Sequence, residues 1–188
     1  MKPKRCKSCR EPFTPSRPLQ SACGVQCAIA LTNVSRAKKQ KADAAETRKE
    51  WKAIKESVKP RAKWLKEAEQ AVNKYVRLRD AHLGCVSCDK PSTWQGQWHA
   101  SHLRSVASAS AIRFNLWNIN KSCSVCNAHL SGNLVEYLPR ARLKIGDEKV
   151  EWLYTQNQPA SYSIEYLKRL KTIFNKRCRM LERRRNCG

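Results

Sequence analysis

Cys85-Val-Ser-Cys88, Trp98-His99-Ala-Ser-His102-Leu-Arg104, Arg113-Phe-Asn115-Leu-Trp-Asn118 and Cys123-Ser-Val-Cys126-Asn127-Ala-His129, running into Ser131-Gly-Asn133, form the stretch that decides the fold. Two Cys-x-x-Cys knuckles enclose residues 89–122. Each tight turn can present two thiolates at about 2.3 Å to one zinc ion, which closes a tetrahedron with no open position. Such a zinc is structural. Because Cys85, Cys88, Cys123 and Cys126 fill it, His99, His102 and His129 are not needed as its ligands, and two histidines three residues apart call for another explanation.

Upstream, Cys6, Cys9, Cys23 and Cys27 make a second four-thiolate set within residues 1–30, a segment with Pro3, Pro12, Pro15 and Pro18 and few apolar residues. A segment that poor in core material folds when a metal staples it. Residues 31–59 read as a charged linker helix over 35–58, with Ser35 as its N-cap and only Trp51, Ile54 and Val58 as an apolar stripe. Pro60 resets the chain. Trp64, Leu65, Ala68, Ala71, Val72, Tyr75 and Val76 then recur at helical spacing, which predicts an amphipathic helix over 61–82. Residues 60–157 are read as the central domain, ending in two short helices parted by Gly146. Residues 158–188 form a basic C-terminal helix from about Ser163 to Leu181, with Ile164, Leu167, Leu170, Phe174, Cys178 and Leu181 on one face. Cys178 and Cys187 read as incidental thiols. The fold class expected is mainly α, with a small zinc-stapled α+β core and helical extensions.

The charge names the partner class. There are 38 Lys+Arg against 15 Asp+Glu, a formal net charge of +23. Cations placed on phosphates release condensed counterions, so a chain this basic is expected on nucleic acid. Arg113, Lys121 and the run Arg183-Arg184-Arg185 are the candidate contacts. No stretch approaches the roughly 20 apolar residues of a membrane span, and Met1-Lys-Pro-Lys-Arg-Cys6 lacks the apolar run of a signal peptide. A reducing cytoplasm is therefore expected, in which cysteine spacing speaks for metal rather than disulfides.

The residues also carry a family resemblance. His102, Asn118 and Asn127, set between and just after the knuckles, resemble the HNH endonuclease motif in its H-N-N form. The stretch from Pro60 to Tyr137, with Gln70-Ala-Val-Asn73, Ile112-Arg-Phe-Asn115 and Ser131-Gly-Asn-Leu134, resembles the NinG/Rap family of lambdoid phages, recombination endonucleases acting on branched DNA. The arrangement is also similar to Holliday-junction resolvases of the endonuclease VII type. The resemblance implies a ββα-metal core, two structural zincs, a catalytic Mg²⁺ or Mn²⁺, branched DNA as substrate and a phage-encoded protein in the host cytoplasm; a junction cutter of this kind could be a homodimer. It implies that His102 is the general base, that Asn127 ligates the catalytic metal and that Asn118 pins the hairpin loop.

His99 stands where these families tend to place an acid, and imidazole shifts metal preference from Mg²⁺ toward softer ions. The chemistry is coherent with the residue types. A neutral imidazole near its ordinary pKa of about 6.5 can take a proton from water. A divalent ion held by His99 and Asn127 can neutralise the leaving oxygen, and Arg104 and Arg113 can clamp the phosphate. The competing reading is a non-catalytic, zinc-stabilised DNA- or RNA-binding protein.

Overall fold

A computed structural model describes residues 1–186; Cys187 lies outside the described residues. The chain divides into two compact units, residues 1–59 and residues 60–188.

In the first unit, Lys4–Arg5 (β1) pairs antiparallel with Pro12–Phe13 (β2), with Lys4 opposite Phe13. The turn between them is a knuckle in which Arg10 N–H bonds the Cys6 carbonyl at 3.0 Å and Cys6 N–H bonds the Glu11 carbonyl at 2.9 Å. One helix, α1, runs from Val25 to Ser57 behind Gly24 and buries no residue. The expected start at Ser35 is therefore corrected by ten residues, and Ser35 is not an N-cap but an interior position of α1. The reason is local: Cys27 stands on the first turn of the helix and faces Cys23 at 3.6 Å, so the helix begins at the four-cysteine cluster and the supposed linker continues it.

The second unit is built on α2 (Arg61–Arg79) and α5 (Ile164–Asn186), which pack along one another. Pro60 opens α2, since its ring fixes φ and its missing N–H is not needed in a first turn. The stripe predicted for α2 is its buried face: Trp64, Ala68, Ala71, Val72 and Val76 close on Leu167 and Phe174 of α5. Cys178 is buried in α5, its thiol pointing at the Ala71 carbonyl, 3.9 Å away. Against this pair lies a two-stranded hairpin, β3 (Trp98–His102) and β4 (Ile119–Cys123), in register Trp98 to Cys123 and His102 to Ile119. Ala100 and Ile119 carry the core from the helices into the hairpin.

After a widened helical turn over Val125–His129, α3 (Leu134–Ile145) and α4 (Asp147–Thr155) enclose a second core of Val86, Leu103, Ile112, Tyr137, Val150 and Leu153. Large side chains buried in this way contribute about 1.5–3 kcal/mol each. The architecture is a helix-rich small α+β fold with two four-cysteine clusters. No helix among the described residues is long and apolar enough to cross a membrane.

Candidate metal centres and candidate active site

Both cysteine sets assemble. Cys6, Cys9, Cys23 and Cys27 bring their sulfurs within 4.8 Å of one another, and so do Cys85, Cys88, Cys123 and Cys126. Four thiolates about 2.3 Å from a tetrahedral ion stand roughly 3.8 Å apart. The sulfurs lie at 3.6 Å for Cys9–Cys23 and Cys23–Cys27, and at 3.8 Å for Cys88–Cys123.

Backbone N–H groups aim at the sulfurs as well: Cys23 N–H at Cys6 Sγ, and both Ser87 N–H and Cys123 N–H at Cys85 Sγ. Burial opposes ionisation of Cys85, but these N–H donors outweigh it and hold the thiol down to about 7. Cys6 is held down to about 6 by the same balance. Cys23 is pushed up to about 12, first by Cys27 and then by Cys9 and Cys6. Thiolates crowded in this way need a cation between them, and the donor set and spacing suit zinc. Both clusters can hold a zinc ion.

The sequence Ser131-Gly132-Asn133 closes the second cluster. All three residues take left-handed backbone, with φ of 48°, 94° and 49°. This reversal lets Gly132 N–H reach the Cys126 carbonyl at 2.8 Å and sends Asn133 Nδ2 to the Ser87 carbonyl at 2.6 Å, tying one knuckle to the other. Glycine accepts such a φ without cost and Asn tolerates it.

His102 ends β3. Its Nε2 lies 3.0 Å from the Arg113 carbonyl. A carbonyl only accepts, so Nε2 carries the proton and the lone pair of the neutral ring sits on Nδ1. Burial lowers the His102 pKa below its ordinary value, against the opposing pull of the Arg113 carbonyl and Glu69, so the ring is neutral at pH 7. Fully buried Asn118 clamps the loop that returns to β4. Its Oδ1 accepts from Arg104 N–H at 2.8 Å, its Nδ2 donates to the Arg104 carbonyl at 3.0 Å, and its own carbonyl accepts from Leu103 N–H.

On a strand, residues three apart face opposite sides. His99 accordingly turns away from His102 and meets Asn127, with Asn127 Nδ2 and His99 Nδ1 3.1 Å apart. The fold thus gathers two groups, His102 with Arg113 and Asn118, and His99 with Asn127. His129 is exposed beyond them.

Two expected contacts take other roles. Lys121 was expected on nucleic acid, but it is only 3% exposed. Its Nζ donates to the Ala81 carbonyl and lies 4.0 Å above the Trp98 ring. Burial lowers its pKa. Arg104 was expected to clamp phosphate, yet its guanidinium donates to the Leu153 and Tyr154 carbonyls and to Asn157 Oδ1, capping the end of α4. Positions inside a β-hairpin and beside a helix end are decided by packing, which residue type does not reveal. Arg113 reaches Glu69 at 3.3 Å, close enough for an ion pair but without hydrogen-bond alignment. Arg183, Arg184 and Arg185 are exposed at the end of α5.

Sequence reasoning missed Asp80. This carboxylate is 2% exposed and holds Arg79, Lys144 Nζ at 2.8 Å and the Lys121 N–H at 3.2 Å. Burial would raise its pKa, but Arg79 and Lys144 more than reverse that and keep it ionised. The only signal in the sequence was an acid directly after Arg79 at the end of a helix.

The fold and sites define a basic, helix-rich α+β protein with two four-cysteine clusters that can each hold a zinc ion. The chain belongs to the NinG family: residues 1–184 match the family described as Bacteriophage Lambda NinG protein. It is 36% identical to protein ninG of Escherichia phage lambda, over 97% of this chain and 95% of that one. It is 34% identical to protein ninG of Escherichia phage 933W, over 97% and 96%. It is 35% identical to protein ninG of Salmonella phage P22, over 95% and 93%. No solved structure matches the chain.

Proposed function

We propose that this protein is a metal-dependent DNA endonuclease of the HNH class that hydrolyses phosphodiester bonds in branched recombination intermediates. The observation that carries the reading is His102, half-buried, neutral and held through Nε2 by the Arg113 carbonyl, which leaves Nδ1 with the lone pair. A base needs that state before it can remove a proton from water. Asn118 fixes the loop that supplies the carbonyl, so the ring is oriented as well as deprotonated.

His99 through Nδ1 and Asn127 through Oδ1 would hold the catalytic ion, Mg²⁺ or Mn²⁺, once the Asn127 amide turns its oxygen to the ring that its Nδ2 meets at 3.1 Å. Bound there, on the side of β3 away from His102, a divalent cation would neutralise charge on the DNA phosphate. With no acid in the pair, ions softer than Mg²⁺ are favoured. The net charge of +23 supports DNA as the polyanion, with Arg183, Arg184 and Arg185 free to contact it.

The test is cleavage of a four-way junction during a divalent-metal titration. His102→Ala should lower the rate by about 10²–10⁴ while zinc content and junction binding persist. His99→Asp should keep activity and move the preference toward Mg²⁺. The acid limb of the wild-type pH profile should lie below about 6.5, because burial keeps His102 neutral to lower pH than a free imidazole. The same shift costs stability as pH falls through that region, since the unfolded chain takes up the proton first. A His102→Ala protein that cuts junctions at the wild-type rate would put the base elsewhere, and wild-type protein that cuts no junction with any divalent metal would leave a zinc-stabilised DNA-binding protein as the reading.

A further inference from the structure

Trp117 and Trp152 meet edge to face, with ring centroids 5.6 Å apart at 86°. Even so, they remain 40% and 41% exposed, and Tyr154, two residues along α4, is 42% exposed. The same unit buries Trp64 and Tyr137 almost completely, so room for aromatic rings in a core was within its reach. A cluster of large rings left in water is a binding surface more often than an accident.

The backbone that carries Trp117 is also fixed. Trp117 N–H donates to Asn115 Oδ1 at 2.8 Å, and its carbonyl accepts from Asn120 Nδ2 at 3.3 Å. The entropy of ordering this position is therefore met by folding rather than by binding. Cations flank the surface: Lys149 Nζ lies 5.3 Å from the Trp117 ring and the Arg104 guanidinium 5.2 Å from Tyr154. The nearby acids Asp147 and Glu151 are both paired with Arg142, while Glu148 on the same helix is exposed, so the cations that face the rings are Lys149 and Arg104. Trp117 directly precedes Asn118, and the loop it rides on carries the Arg113 carbonyl that holds His102.

We propose that Trp117 and Trp152 form a platform on which unpaired nucleobases stack, and that this platform selects branched DNA over linear duplex. The chemistry commits to that occupant. A nucleobase offers an open π face only where the duplex is interrupted, at a branch, a gap or a single strand. Aromatic rings bind such faces without regard to sequence, while neighbouring cations hold the backbone. The inference rests on the reading of this protein as a DNA enzyme, but it concerns binding and needs no cleavage.

The test uses the full chain without added divalent metal and measures affinity for three DNAs. They are a four-way junction, a linear duplex and a single strand of about 20 thymidines, longer than the ~4–16 nucleotides that one such surface covers. Trp117→Leu/Trp152→Leu keeps apolar bulk and removes the π faces, whereas Trp117→Phe/Trp152→Phe keeps a ring. The Leu pair should bind the single strand and the junction about tenfold or more weakly and the duplex as wild type does. The Phe pair, with the same fold by thermal melting, should retain most of the affinity.

Equal losses on all three DNAs, or no loss on the single strand, would overturn the platform. If the Leu pair fails to fold, the Phe pair decides: preference for branched DNA that falls to the duplex level despite two retained rings overturns it too. Wild-type protein that binds none of the three DNAs sinks the DNA reading itself. Wild-type protein that binds all three but never cuts leaves the platform standing and removes only the nuclease.

Discussion

The two cysteine clusters have nearly the same sulfur spacing and sit in opposite surroundings. Around the first, only Cys6, Pro15 and Ala22 are buried, and α1 contributes no buried side chain at all. Around the second, Cys85, Cys123 and Cys126 are buried together with Trp94 and Trp98 packed on them, and a hairpin and two helical cores lie beyond. A four-cysteine cluster can therefore stand where a segment has almost no other core or beside a core that already exists. Spacing alone does not distinguish the two, because it reports ligand geometry and not the apolar surface waiting nearby.

The sharpest way to break this comparison is to remove the metal. Purified protein should contain two zinc ions per chain by metal analysis, and stripping both should abolish amide-exchange protection over residues 4–24 completely. Amides of α2 and α5 should stay protected, because their helices close on one another through Trp64, Val72, Leu167 and Phe174. Protection over 4–24 that survives a chelator would show that the first segment has a core of its own.

A smaller effect probes what the second unit has besides metal. Asp80→Ala leaves Arg79, Lys144 and the Lys121 N–H without their shared buried carboxylate, and it should destabilise the unit by about 3–5 kcal/mol in urea titration. A loss under about 1 kcal/mol would mean that water reaches those cations.

Smaller again is the contrast between two apolar truncations. Leu167 is fully buried, and Leu167→Ala should cost about 2–5 kcal/mol. Ile54 on α1 is 51% exposed, and Ile54→Ala should change stability by no more than about 0.5 kcal/mol. Comparable costs at the two positions would erase the distinction between the units.

Much of this was legible in the chain. Three Cys-x-x-Cys pairs and the Cys23-x3-Cys27 pair named both clusters, because two thiolates a few residues apart need only local sequence. Helical spacing named the buried faces of α2 and α5, because a stripe that meets a core must repeat with the turn of the helix. Pro60 marked the boundary between the units, and Gly146 the break between α3 and α4.

Tertiary structure alone decided the rest. It started α1 at Val25, where Cys27 has to face the knuckle, although Ser35 is the better cap by residue type. It buried Lys121 under Trp98 and aimed Arg104 at the end of α4, although both are the residue types that contact phosphate. It brought Lys144 and the Lys121 N–H, both far from it in sequence, onto Asp80 beside the adjacent Arg79, and it gave His102 a carbonyl partner eleven positions away. Local patterns fix turns, helices and ligand pairs, whose partners lie within a few residues. Which charges are buried and which imidazole is kept neutral depends on groups brought together only once the chain has closed.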